Sequence, residues 1–221
     1  MRDERLLTIA DMVPRCATFA DIGTDHGYLP LYLFRQGKID RAYLTDISAP
    51  SLAKAKAAME RFGYSGRCVF SVGDGFSALD IFPEAAAIAG MGGALICEIL
   101  SAGISKIRYS RLILQPNVDA PIVRKALTEL GFRILDEAIA REGGRHYVVL
   151  AAEAGSALYT ERELEIGPIL LKKGSPHMKS YIAFRVRVLE KALKGAEGAD
   201  DAAAEALKKA LALWKTEEKR T

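Results

Sequence analysis

The chain predicts an α/β protein: an open, mainly parallel sheet with helices on both faces, finished by an antiparallel hairpin and followed by a small helical domain. Three observations predict it. Short apolar runs alternate with helix-spaced stretches as far as residue 131, the pattern of a parallel sheet wrapped by helices. FRILDEAIA and RHYVVLAAEA then follow one another across only REGG, which is a hairpin signal. From about Thr160 the strand pattern stops and helical spacing takes over. The expected division is residues 1–158 and 159–221.

Leu6, Leu7, Ile9, Ala10 and Val13 fall at helical spacing, so residues 2–12 are expected to form a short helix leading to Pro14. ATFADIG reads as a buried strand entering a tight glycine turn, and residues 28–36 as a helix that stops at Gly37. RAYLTDI is a second strand, ending at Asp46, followed by a helix over 50–61 that stops at Gly63. RCVFSV is a strand ending in GDG, and AAAIAG one ending in GMGG before a helix over 94–100. RLILQPN is a strand broken by Pro116, and residues 120–130 a helix ending at Gly131. In the last segment Ile182, Val186, Leu189 and Leu193 make one apolar seam at 4-3-4 spacing. Residues 195–198 (GAEG) break the chain, and Asp200 or Asp201 can cap a second helix carrying Leu207, Leu211 and Trp214. Two such helices predict an antiparallel, coiled-coil-like hairpin, too short to be stable alone.

Of 221 residues, 50% are apolar and 27% charged, the composition of a globular protein with a substantial core. Cys16, Cys68 and Cys97 are odd in number and widely spaced. That fits neither a disulfide framework nor a metal motif, so a cytoplasmic protein with core thiols and no metal is expected. The N-terminal MRDERLLTIADMV lacks the apolar core of a signal peptide, and no apolar run is long enough to span a bilayer. The net charge of +3 is unevenly placed: residues 172–194 hold seven basic side chains and one acid, Glu190. This concentrates positive field on part of the C-terminal segment.

In open α/β sheets the ligand lies beyond the carboxyl ends of the strands. Five predicted strands end there on glycine or polar residues: Asp21-Ile-Gly23, Asp46, Gly73-Asp74-Gly75, Gly90-Met91-Gly92-Gly93, and Gln115-Pro-Asn117. The first turn, Gly23-Thr24-Asp25-His26-Gly27, lacks the GxGxxG spacing of dinucleotide binders. Carboxylates at Asp21 and Asp25, about 4–6 Å from a pyrophosphate, would repel it by about a kcal/mol or more even when screened. A ligand with a cationic centre and an ammonium escapes that repulsion, and S-adenosylmethionine has both. Asp46, 19 residues after Gly27, suits an acid that takes ribose hydroxyls, and Asp74 can accept from the adenine amino group. Each aspartate taken singly is also an ordinary turn former; at the ends of three successive strands they point together to a ligand.

DIGTDHGYLP, IAGMGG and RLILQPN, in this order and followed by a helical segment, resemble the TrmK family of bacterial tRNA adenine-N1-methyltransferases, named for the adenine at tRNA position 22. The resemblance runs over the whole chain, but in the C-terminal part it rests on architecture alone. It implies a class I methyltransferase (Rossmann-like) fold and S-adenosylmethionine as cofactor. By position it places Asp21, Gly23 and Gly27 in the methionine-side motif, Asp46 at the ribose and Asp74 at the adenine, with Thr24, His26, Ile47, Gly75, Gly90 and Met91 completing the cofactor site. GMGG at residues 90–93 stands where base amino-methyltransferases carry Asn/Asp-Pro-Pro-Tyr/Phe. That difference argues against N6 methylation and is similar to the TrmK pattern.

Adenine N1 already holds an in-plane lone pair, so its methylation needs positioning more than deprotonation. A carboxylate near the cationic product would stabilise it, which makes Asp25 the candidate for that role. Gly92 and Asn117 are the other candidate catalytic residues, Gly92 as part of an unobstructed floor beneath a flat base. Tyr28 could stack on the base, and Gln115 and Asn117 could bond its Watson–Crick edge. Lys172, Lys173, Lys179, Arg185 and Arg187, interleaved with Tyr181 and Phe184, would grip tRNA phosphates. No membrane partner is expected, and the protein is expected to act as a monomer. The alternatives are a methyltransferase of the same fold acting on another RNA base, a small molecule or a protein, and a non-catalytic protein that only binds S-adenosylmethionine. A nucleotide-dependent dehydrogenase is disfavoured by the charges and the broken fingerprint.

Overall fold

The structure is a computed structural model, and it describes residues 3–195 and 201–220. The chain divides into two compact units, Met1–Leu158 and Tyr159–Thr221. The first contains α1 (Glu4–Met12), β1 (Cys16–Ile22), α2 (Tyr28–Arg35), β2 (Ile39–Asp46), α3 (Ala49–Arg61), β3 (Cys68–Val72), β4 (Ala85–Gly92), α4 (Gly93–Ile107), β5 (Arg111–Val118), α5 (Ala120–Glu129), β6 (Phe132–Glu142) and β7 (Arg145–Ala154).

These strands form one sheet in the order β3-β2-β1-β4-β5-β7-β6. β1 to β5 are mutually parallel, and β7 runs antiparallel to both β5 and β6. The sheet is therefore mixed, in the manner of Rossmann-like methyltransferases. Where the sequence suggests a reversed edge strand, the structure inserts the reversed strand one place in, and β6 forms the edge. The two-residue turn Gly143-Gly144 explains the tight return: both glycines have positive φ, 54° and 77°, which a primed hairpin turn requires.

The central strands are buried on both faces, as the apolar runs require. Ala85, Ala86, Ala87 and Ile88 of β4 have no exposed surface. β5 does not break at Pro116 but continues to Val118. The register shifts opposite it, between Ala89 and Met91 and between Met91 and Gly92, absorb the missing N–H.

α1 is anchored at both ends. The Asp3 carboxylate accepts from Leu6 N at its start, and Lys38 Nζ donates to the carbonyls of Ala10, Asp11 and Val13 at 2.7, 3.2 and 3.0 Å at its end. A cation at a helix C-terminus also suits the helix dipole. α5 and β6 are tied through the fully buried pair Arg124–Glu137 at 2.7 Å.

The second unit holds four helices among its described residues: α6 (Glu161–Ile166), α7 (Pro168–Lys173), α8 (Met178–Gly195) and α9 (Asp201–Glu218). The short α6 and α7, which sequence periodicity does not reveal, meet at Gly167-Pro168; α6 starts with a capping box between Thr160 and Glu163. Ile182, Val186 and Leu189 of the expected seam are buried, as are Leu211 and Trp214. The Trp214 ring meets Tyr181 edge-on at 5.4 Å, and its Nε1 donates to Glu165 at 2.6 Å. Beyond Gly195, the expected break at 195–198, the cap from Asp200 and the side chain of Asp201 lie outside the described residues. Among the described residues no helix is long and apolar enough to cross a membrane.

Candidate active site

The strand order reverses between β1 and β4, and the carboxyl ends of these strands open onto a cavity of about 560 Å³. Such a switch point is where open α/β sheets bind ligands. Asp21, Asp46 and Asp74 line it together with Gly23, Gly75 and Met91. Thr24, Asp25, His26, Tyr28, Ile47 and Gly90 also face it. α1 contributes a wall through Asp3, Arg5, Leu6 and Ile9. From its sequence α1 reads only as a lead-in helix, because nothing local marks a charged helical residue as facing a cavity built from the ends of β1 to β4.

The first turn is closed to anions. The N–H groups of Gly23 and Thr24, which a phosphate loop would leave for its ligand, both donate to Thr45 O at 2.8 and 3.0 Å. In their place the turn offers carboxylates. Asp21 is buried and accepts from Thr24 Oγ1 at 2.6 Å. Burial pushes its carboxyl up to about 6; the Thr24 hydroxyl works against that rise and the charge of Asp46 adds to it. A buried carboxyl raised in this way gains from a cation placed beside it. Asp46 is held from both sides, accepting from Asp25 N at 3.2 Å and Ser48 N at 2.8 Å, and its oxygens retain further acceptor capacity.

Asp25 sits at φ 45°, a left-handed conformation that Asp tolerates better than most residues. That backbone puts its half-exposed carboxylate 2.6 Å from His26 Nδ1. His26 in turn stacks on Tyr28 at 5.3 Å and 11°, while 60% of Tyr28 stays exposed. Gly23, at φ 72°, lies under the end of the Met91 side chain: a Cβ there would come 2.1 Å from Met91 Cε. Asp74 caps the short helical turn at Gly75, where φ is again positive.

Four expected site residues of the first unit do not line the cavity. Gly27 faces α3 instead, where an added Cβ would meet Ala55 and Met59 at 3.2 Å, so its lack of a side chain serves helix packing. Gly92 leads into α4, and a Cβ added there would meet nothing within 4 Å. Gln115 is completely buried. Its Oε1 accepts from Arg5 Nη1 at 3.1 Å and Gly90 N at 3.2 Å, and its Nε2 donates to Asn117 Oδ1 at 3.1 Å. An amide so committed cannot read a base edge directly; Gln115 builds the wall. Asn117 is exposed and donates from Nδ2 to Gly90 O at 2.7 Å.

In the helical unit Lys172, Lys173, Lys179 and Arg187 are exposed. Arg185 is not a free cation: it lies 3.3 Å from Glu165 and 5.6 Å over the Trp214 ring, joining α8 to α6. Tyr181 is buried against Trp214, whereas Phe184 is 36% exposed.

The closed amides of Gly23 and Thr24 exclude a phosphate grip, while one buried acid and two further strand-end carboxylates fit a sulfonium nucleoside bearing an ammonium. Fold and site define an S-adenosylmethionine-dependent methyltransferase of the Rossmann-like class. Comparison with known proteins agrees: residues 2–150 match a family described as a methyltransferase domain. The tRNA (adenine(22)-N(1))-methyltransferase of Bacillus subtilis (strain 168) is 39% identical over 178 residues, 77% of this chain and 75% of that protein. The crystal structure of B. subtilis TrmK, an m1A22 tRNA methyltransferase, aligns with a TM-score of 0.86 at 31% identity, covering 99% of both chains. Streptococcus pneumoniae Sp1610, crystallised with S-adenosyl-L-methionine, aligns with a TM-score of 0.88 at 30% identity over 99% of this chain and 100% of that one. The chain belongs to the TrmK family.

Proposed function

We infer that the protein transfers a methyl group from S-adenosylmethionine to N1 of the adenine at position 22 of tRNA. The observation that carries this reading is the convergence of Asp21, Asp46 and Asp74 on one cavity whose turn amides are already satisfied by Thr45. When bound, S-adenosylmethionine supplies an electrophilic methyl group on a sulfonium sulfur. Asp21 offers the anionic partner for an ammonium, Asp46 takes ribose hydroxyls and Asp74 accepts from the adenine amino group of the cofactor. Gly23, Thr24, His26, Ile47, Gly75, Gly90 and Met91 shape the remaining walls.

No residue has to remove a proton from the nucleophile, since adenine N1 presents a lone pair in the ring plane. The protein's task is alignment and charge. Tyr28 offers an exposed ring face to the base. The bare backbone at Gly92 leaves room for a flat ring, and Asn117, exposed at the end of β5, can reach its edge. Asp25, steadied by His26, stabilises the positive charge that the product acquires. The residues that would grip an exocyclic amine are replaced by GMGG, which favours the ring nitrogen.

Residues 1–158 act as the methyl-transfer domain and 159–221 as a tRNA-contacting domain built on an antiparallel, coiled-coil-like pairing of α8 and α9. Lys172, Lys173, Lys179 and Arg187 meet phosphates there, and Arg185 supports them from within. A tRNA substrate favours a reaction in the cytoplasm, and the protein is proposed to act as a monomer. The test is incubation with methyl-labelled S-adenosylmethionine and unmodified tRNA, followed by digestion and nucleoside identification. Label in 1-methyladenosine at position 22 is expected; label in another nucleoside, or none, overturns the reading.

A further inference from the structure

We propose that Arg5 is a positioning residue for methyl transfer, acting through Gln115 and Asn117 to hold the peptide groups of Gly90. This rests on the reading above, in which the carboxyl end of β4 adjoins the target base.

The orientation of each amide follows from its neighbours. Arg5 and the Gly90 N–H are both donors only, and both point at one atom of Gln115, at 3.1 and 3.2 Å. That atom must be the carbonyl oxygen Oε1. The Gln115 Nε2 is then turned toward Asn117, at 3.1 Å from Oδ1. With its oxygen so engaged, Asn117 presents Nδ2 to Gly90 O at 2.7 Å. The N–H and the C=O of Gly90 are thus held by two amides in sequence, and a guanidinium stands at the head of the relay.

Gly90 needs such a hold. Its φ is 76°, and glycine is the residue with most conformational freedom to lose. Gln115 is completely buried, so bulk water cannot replace a missing donor. Arg5 is itself well placed to act. Both ends of α1 are fastened, by Asp3 and by Lys38. The guanidinium lies over the Tyr147 ring at 5.3 Å and 3.7 Å from Glu142. Arg5 Nη1 would lie 3.6 Å from a Cβ added at Gly90, so the arginine stands beside this residue. A hydrogen bond from a charged donor is about twice as strong as a neutral one, which suits the first link of a relay.

The test is a double-mutant cycle on Arg5→Met and Asn117→Ala, with S-adenosylmethionine affinity, kcat, KM for tRNA and hydrogen exchange of residues 88–95 as readouts. Each single variant is expected to lower kcat about 10- to 100-fold, the scale of a small misplacement of reacting groups. Cofactor affinity should fall less than kcat does, and the double variant should be no worse than the poorer single. Exchange at Gly90 should accelerate in both singles. Multiplying losses in the double variant would overturn the relay. So would a raised KM with unchanged kcat and a shallower salt dependence, which would make Arg5 a phosphate ligand. Should Arg5→Met fold poorly, Gln115→Glu is decisive: it keeps the acceptor for Arg5 but turns an acceptor toward Asn117 Oδ1. It should lower kcat in protein that stays folded at the assay temperature, and full activity would refute the proposal. If the wild-type enzyme puts no methyl on tRNA adenine, the assigned reaction fails, and hydrogen exchange still decides the relay: unchanged protection of Gly90 in Arg5→Met overturns it.

Discussion

Lowering the pH from 8 to 5 should weaken S-adenosylmethionine binding about tenfold while making the ligand-free protein more stable. Both effects have one source, the Asp21 carboxyl, which burial raises from an ordinary 3.8 to about 6. Only its ionised form can partner an ammonium. With a free-state value of about 6, nearly all Asp21 is ionised at pH 8 and about one molecule in ten at pH 5, so apparent affinity falls by about that factor. Stability moves the opposite way. A folded value above the unfolded one means that between about pH 6 and pH 4 the native state binds more protons than the unfolded chain, so stability rises as pH falls. The charge on Asp21 therefore costs the ligand-free fold at most about 3 kcal/mol at pH 8, by the rise from 3.8 to about 6. Asp21→Asn removes the charge and keeps an acceptor for Thr24. Its ligand-free melting temperature at pH 8 should rise, its cofactor affinity should drop, and the dependence of affinity on pH between 5 and 8 should flatten. Calorimetric titrations and thermal melts at four pH values read all three. A pH slope that survives in Asp21→Asn, or a wild-type affinity that does not change with pH, would refute the argument.

Three further outcomes are expected. Gly23→Ala should cost about 1–2 kcal/mol for a side chain in the left-handed region, and should also weaken cofactor binding, because its methyl must displace the Met91 Cε now 2.1 Å away; melting and binding measurements check both. Gly92→Ala should leave melting unchanged, since the added methyl meets nothing within 4 Å, yet reduce methyl transfer if a base lies on that surface, which a single-turnover assay at saturating cofactor would show. Arg124→Met should destabilise the sheet domain by about 3–5 kcal/mol, because it removes the cationic partner of the fully buried Glu137 carboxylate; a denaturant midpoint close to wild type would contradict this.

The sequence by itself determined what depends on near neighbours. Apolar runs, glycine stops and helical spacing are local, so the alternation of strands and helices could be read, to within a few residues except at the end of α4, which runs on to Ile107. The aspartates at the strand ends could be read with them, since three acids at the ends of three successive strands point to one place. Only the tertiary structure decided what depends on residues far apart in the chain. Insertion of β7 between β5 and β6 is a choice of pairing partner, which the alternating pattern of a strand does not encode. The closing of the first turn's amides depends on Thr45 in the next strand, and Gly27 is a glycine because α3 packs against it. Arg5 reaches Gln115 across 110 residues; Gln115 and Arg185, polar residues that read as ligand contacts, are instead consumed by partners their own segments do not reveal. Residue type indicates what a side chain can bond to, and the folded chain settles which partner reaches it first.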